Sequence, residues 1–373
     1  MLQRGRAAAI ATVLSAVLAA CGSSRPPPAG DDTAQGSSSG PSLGDAGAKP
    51  PGCGAGSSCE CIDIPLFADA PNIYFVLDRS GSMLTDDKWQ HVRTTVARVM
   101  RDLGPRAAFG ATLFPGFSGD SCGPSTEVMS VRAGDPPSST DGPTTSFLLH
   151  ATDLAPQGDT PTAGTLRDVL GRVQALSGKT FVVLATDGGP NCGLEPTCPL
   201  TECIENIEDA PGCPTAGPRN CCTRPGQCLD AAATTDAVTA LKTMGYPVYV
   251  IGIPGSATYG ALLDQLATVG GTALAGTPAY YRVDDSAEAA LLATLRKVLA
   301  KIVATCTFSL NAMPPDPGLV NVYFDDVVEP KDPINGWVLD GKNVTLVGDA
   351  CARVMSGDVL GVRVVAGCPS VVR

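Results

Sequence analysis

Residues 72–83 read NIYFVLDRSGSM, and this stretch decides the fold. Ile73 to Leu77 is an unbroken apolar run of strand length, the pattern of a β-strand covered on both faces in a parallel sheet. The run stops at Asp78. A carboxylate and two hydroxyls then follow in alternate positions, Asp78, Ser80 and Ser82, with Gly81 between the serines. In an open α/β sheet ligands bind beyond the carboxyl ends of the strands, and oxygen donors of this kind suit a hard cation. Downstream, DDKWQHVRTTVARVMRDL carries Trp89, Val92, Val96 and Met100 at helical spacing.

Strand and helix signals then alternate. RAAFGATLF is a second strand, and STEVMSVRA a third, reached by a Gly-rich hairpin. TPTAGTLRDVLGRVQAL is a helix and TFVVLATD a strand. DAVTALKTMG is a helix, with Gly245 as its C-cap. YPVYVIGI is a strand, YGALLDQLATVG a helix and YYRVDD a short strand. SAEAALLATLRKVLAKIVA is a final helix, with Ser286 as cap and Glu288 in its first turn. This alternation predicts an α/β fold, a doubly wound and mostly parallel sheet flanked by helices. The runs TFSLNA, LVNVYFDD, GWVLDG, NVTLVG and LGVRVVAG predict a small β-rich module over 305–373.

Two segments lie outside this rhythm. The insert 190–230 is rich in proline and holds Cys192, Cys198, Cys203, Cys213, Cys221, Cys222 and Cys228. Their irregular spacing matches no zinc knuckle. The chain has 15 cysteines in 373 residues and no Cys-x-x-Cys pair, which points to disulfides in an oxidising compartment. Residues 22–52 are rich in Gly, Ser, Pro and Ala, and read as a flexible tether with a reach of about 30 Å. The net charge of −11 argues against nucleic acid and against electrostatic attraction to an anionic membrane.

At the N-terminus, Arg4 and Arg6 precede the apolar run AAAIATVLSAVLAA, which ends in Leu18-Ala19-Ala20-Cys21. The run is short for a membrane span. Its end resembles the lipobox of bacterial lipoproteins, which implies cleavage before Cys21 and a lipid on that cysteine. Several acyl chains make a stable anchor. The resulting expectation is a signal peptide over 1–20, a linker over 21–69 and lipid anchoring in a bacterial envelope, with the outer membrane favoured by Gly22.

Asp78-Arg79-Ser80-Gly81-Ser82 resembles the DxSxS signature of the von Willebrand factor A family, the metal-ion-dependent adhesion site. Two more segments match in order: Gly158-Asp159-Thr160 and Thr186-Asp187-Gly188. The resemblance covers about 70–304, with the insert as a departure. It implies a divalent cation, magnesium first with calcium or manganese as alternatives. Ser80 and Ser82 would bind it directly, Asp78 and Asp187 directly or through water, and Thr160 directly in the high-affinity state. One position would stay open for an exposed aspartate or glutamate of a protein partner. The expected function is an envelope-anchored, metal-dependent adhesion module and not an enzyme. The alternatives are a hydrolase, with Glu195, Glu202 or Glu205 as general base, and a purely structural envelope protein. The two histidines, His91 and His150, are read as surface or packed residues.

In such a fold the strands run toward the metal face and the helices return. With Cys21 lipidated, fourteen cysteines remain. Cys53, Cys59, Cys61, Cys306, Cys351 and Cys368 fall at the end away from the metal. Cys122, Cys192, Cys198, Cys203, Cys213, Cys221, Cys222 and Cys228 fall at the metal end. Parity within each group predicts that Cys122 bonds to an insert cysteine and that the N-terminal segment is bridged to the C-terminal module.

Overall fold

The computed structural model describes residues 62–64, 70–136, 140–193, 228–285, 287–303, 305–310, 313–325 and 327–372. The expectations for Cys21, Cys53, Cys59, Cys61, Cys198, Cys203, Cys213, Cys221, Cys222, Ser286 and the three insert glutamates lie outside these residues.

The quoted stretch forms strand β2, Asn72–Asp78, and every residue in it is buried. The pleat sends alternate side chains to opposite faces, and both faces of β2 are covered by helices. Ile73, Phe75 and Leu77 pack against α1 (Lys88–Leu103) and α6 (Glu288–Val303). Tyr74 and Val76 pack against α3 (Thr162–Val173), α4 (Ala231–Thr243) and α5 (Gly260–Val269). An apolar run covered on both faces is the reason this strand shows no polar alternation.

β2 is flanked by β3 (Ala108–Phe114) and β5 (Thr180–Thr186), both parallel to it. β4 (Thr126–Ala133) joins the far side of β3 antiparallel, by the hairpin, and β6 (Val248–Gly252) and β7 (Tyr281–Arg282) extend the other side in parallel. The sheet order is β4-β3-β2-β5-β6-β7. The chain winds outward from β2 in one direction, then returns to its other side at β5. The carboxyl ends of β2 and β5 therefore frame the switch point, where an open α/β sheet has its crevice. A further helix, α2 (Pro143–Ala151), lies between β4 and α3.

The C-terminal part holds two small antiparallel sheets. Strands β8 (Thr307–Ser309), β11 (Trp337–Asp340) and β12 (Asn343–Leu346) make one; β9 (Val320–Phe324), β10 (Val327–Glu329) and β13 (Val362–Ala366) belong to the other. Two elements differ from the sequence expectation. Strand β1, Ile62–Ile64, pairs with β13 although it lies in the stretch read as linker. Helix α7, Gly348–Ser356, interrupts the strands and buries Ala350 and Val354 in a core with Trp337, Phe308 and Phe324. A disulfide between Cys306 and Cys351 fixes α7 to the segment entering β8. Gly357 ends α7 at φ +85°, and a Cβ there would come within 2.8 Å of Arg296 O on α6, so glycine permits this close approach.

Candidate metal centre

Five sequence-predicted ligand residues come from three separated segments, and the fold gathers them at the switch point. Asp78 closes β2 and is fully buried. Its Oδ1 accepts the backbone N–H of Ser80 at 2.8 Å, and its Oδ2 accepts the Thr186 hydroxyl at 2.5 Å. The Ser80 and Ser82 hydroxyl oxygens lie 3.1 Å apart, and Ser82 donates to Asp187 Oδ1 at 2.7 Å. Asp187 directly follows β5 and is also fully buried. Thr160 belongs to the same group: a Cβ on Gly188 would sit 3.6 Å from Thr160 Oγ1 and 3.8 Å from Ser82 Oγ, so both hydroxyls lie beside Gly188.

Backbone bonds sew the Thr160 loop onto the serine loop. Gly81 N donates to Gly158 O at 2.9 Å and Gln157 N to Arg79 O at 2.8 Å. Gly158 has φ +82°, and a Cβ there would meet Ser121 O at 2.9 Å. Arg79 points away from the ligand set and acts as a rivet: it is buried and donates to Pro115 O, Gly116 O and Ala155 O at 2.8–3.0 Å.

Thr160 is held from two more sides. Asn191 accepts the Thr160 N–H at 2.6 Å through its side chain and donates its own N–H to Thr160 O at 2.9 Å. On the other side Asp159 N donates to Ser121 O at 2.8 Å, and Ser121 Oγ to Asp159 Oδ2 at 2.7 Å. The residues next in sequence, Cys122 and Cys192, are disulfide-bonded, with Cα atoms 5.5 Å apart. The bond closes a ring around Thr160. Cys122, Asp159 and Cys192 also form a sulfur–carboxylate cluster, but their thiols are spent on each other and offer no thiolate to a metal. Cys228 and Cys368 each take part in a further disulfide. These bonds fit an extracellular or envelope compartment.

Burial first, and repulsion from Asp187 second, hold the Asp78 carboxyl well above the usual carboxylate range. Two buried carboxylates, two serine hydroxyls and a threonine hydroxyl make an all-oxygen donor set that fits magnesium, manganese or calcium.

The sequence reading missed Lys88 and Asn191, and quoted Thr186 without a role. Lys88, at the start of α1, places its ammonium 2.6 Å from Asp187 Oδ2. Spacing gave no cue, because Asp86 and Asp87 adopt left-handed conformations (φ 54° and 52°) that turn the chain back before the helix begins. Asn191 belongs to the segment read as the start of the insert. His91 and His150 sit on α1 and α2. Among the described residues no helix is long and apolar enough to cross a membrane.

No family model matches the chain, and no curated protein matches it. Among solved structures, the pilus adhesin SpaC from Lactobacillus rhamnosus GG is 15% identical, with a TM-score of 0.49 over 83% of this chain and 40% of that one. The chain thus spans less than half of the SpaC chain. The vWF domain of the type V pili tip protein Mfa5 from Porphyromonas gingivalis is 13% identical, with a TM-score of 0.43 over 65% of this chain and 96% of that one. The PilB minor pilin from Streptococcus sanguinis is 18% identical, with a TM-score of 0.43 over 63% and 61%.

Proposed function

We propose that the chain is a metal-dependent docking module of the von Willebrand factor A type, held in a bacterial envelope by a lipid on Cys21. Asp78, Ser80, Ser82, Thr160 and Asp187 would hold one divalent cation, magnesium first, with calcium or manganese as alternatives. The observation that carries this reading is the convergence of those side chains, from three segments, at the carboxyl ends of β2 and β5 beside Gly188. When bound, the cation supplies a Lewis-acidic position for a carboxylate of a protein partner.

The chain's own residues prepare that position. Ser80 and Thr186 fix the two oxygens of Asp78. Arg79 and the Cys122–Cys192 ring keep the loops in place without entering the ligand set. Leu84, Phe117 and Leu154 are 62%, 50% and 39% exposed. They lie in the turn after Ser82 and beside the carbonyls that Arg79 fastens, Gly116 and Ala155. An apolar rim around a polar centre suits a protein surface as partner. The reading is a binding protein and not an enzyme.

Capture from envelope extract tests the proposal. Wild-type chain should retain partners in magnesium and lose them in chelator, and Asp78→Ala should retain none in either. Equal capture by wild type and Asp78→Ala would refute metal-dependent docking.

A further inference from the structure

Lys88 sets a positive charge against the proposed ligands from within the fold. It is the first residue of α1, its side chain is 9% exposed, and its ammonium contacts Asp187 Oδ2 at 2.6 Å. It also donates to Ser82 O at 3.3 Å. Two local features let it in. The left-handed pair Asp86 and Asp87 turns the chain so that α1 starts beside the site. Gly255, at φ +109°, has no side chain; a Cβ there would lie 3.2 Å from Asp187 O and 3.4 Å from Lys88 Nζ. Asp187 consequently divides its oxygens, giving Oδ1 to the Ser82 hydroxyl and Oδ2 to Lys88.

Two effects of this contact oppose each other. As a hydrogen bond that orients a metal-binding carboxylate, it would favour the cation; losing such a partner costs about 10–100-fold in affinity. As a like charge separated from the cation by one carboxylate, it repels. Even at the effective dielectric of about 20 suited to buried sites, that repulsion exceeds the orienting gain. We infer that Lys88 is a built-in counter-ion of the docking site, which lowers cation affinity and keeps the loaded site electropositive toward a partner's carboxylate. Two carboxylates alone would neutralise a divalent ion. With Lys88 present the same group of charges keeps one positive charge, and that remainder attracts an acidic side chain. The inference rests on the cation reading proposed above.

Calorimetric titration of magnesium chloride into the full chain tests it, using wild type, Lys88→Met, Lys88→Gln and Asp78→Ala. Lys88→Met removes charge and hydrogen bond together; Lys88→Gln removes the charge and keeps a donor. Both should bind magnesium at least about tenfold more tightly than wild type, while Asp78→Ala shows no binding. Binding detectable only in the Lys88 variants would support the same conclusion in stronger form. If both Lys88 variants bind equally or more weakly while Asp78→Ala is silent, Lys88 only orients Asp187; the inference fails and the cation site stands. If Asp78→Ala binds as wild type does, the cation site itself is wrong and the inference falls with it. Melting curves in chelator identify a variant that does not fold, and the other substitution then decides.

Discussion

Asp78 shows how a single residue carries the conflict between folding and binding. Its carboxyl is buried beside that of Asp187, and burial raises its pKa above the unfolded value. Its contribution to stability in the metal-free protein is therefore fully present below about pH 4, the unfolded value. It is lost as pH rises through the raised folded value. Asp78→Asn removes the charge and keeps the shape. In chelator the variant should melt above wild type, by an amount that grows as pH rises from acid toward neutrality. In magnesium the order should reverse, because wild type alone gains from ligand binding. Melting curves across pH, with and without magnesium, check both signs. At this scale the proposed ligands were legible in the sequence, since DxSxS, Gly-x-Thr and TDG are short patterns. Lys88 and Asn191 were not. Each reaches the site through a turn whose direction no local pattern fixes.

Among the elements, helix α2 depends on a cap from outside its own turn. Asp135 accepts the N–H groups of Thr144 and Thr145 and the Thr145 hydroxyl, all at 2.7–2.8 Å. Burial pushes the Asp135 carboxyl up, but these bonds outweigh it and hold it below its ordinary value. Its stabilisation is thus present above the unfolded pKa and lost as pH falls through the folded one. Asp135→Ala should cost about 1–2 kcal/mol near neutral pH, and less in acid; denaturant unfolding at two pH values measures it. The ring through Cys122, Cys192, Asn191 and Thr160 makes a second prediction. Replacing both cysteines by serine should leave the fold intact and weaken magnesium binding, since Thr160 loses one of its supports. Titration of the double variant beside wild type reads this, and unchanged affinity would show the ring to be irrelevant to the site. Elements with an unbroken apolar run, β2 and β5, or with helical spacing, α1 and α6, could be read from sequence. Strand β1 could not, because three residues in a Gly- and Pro-rich setting gain their conformation only from pairing with β13. Helix α7 could not either: it buries just Ala350 and Val354, and its place is fixed by tertiary contacts and the Cys306–Cys351 bond.

Across the whole molecule, one topological fact organises the rest: the chain reverses its direction of winding between β2 and β5, and the candidate site lies where it does so. The insert leaves after β5 there, and the chain returns beside it to enter α4. Asp230 N donates to Pro190 O at 2.8 Å, closing the insert at its base. Replacing 194–227 by a short Gly-Ser loop, with Cys228→Ser, should change which partners are captured while leaving magnesium affinity as it was. A loss of both together would place the insert inside the metal site and not at its rim. The doubly wound order could be read in outline from alternating strands and helices. The hairpin that sets β4 antiparallel to β3 could be read as well, whereas the seating of β1 in the C-terminal sheets depends on contacts distant in sequence. The cation is the centre of this account, and manganese bound to the purified chain can be counted directly by electron paramagnetic resonance. Wild type should hold one ion per chain, displaceable by magnesium, and Asp78→Ala and Asp187→Ala should hold none; unchanged binding in both variants would contradict the assignment of the site.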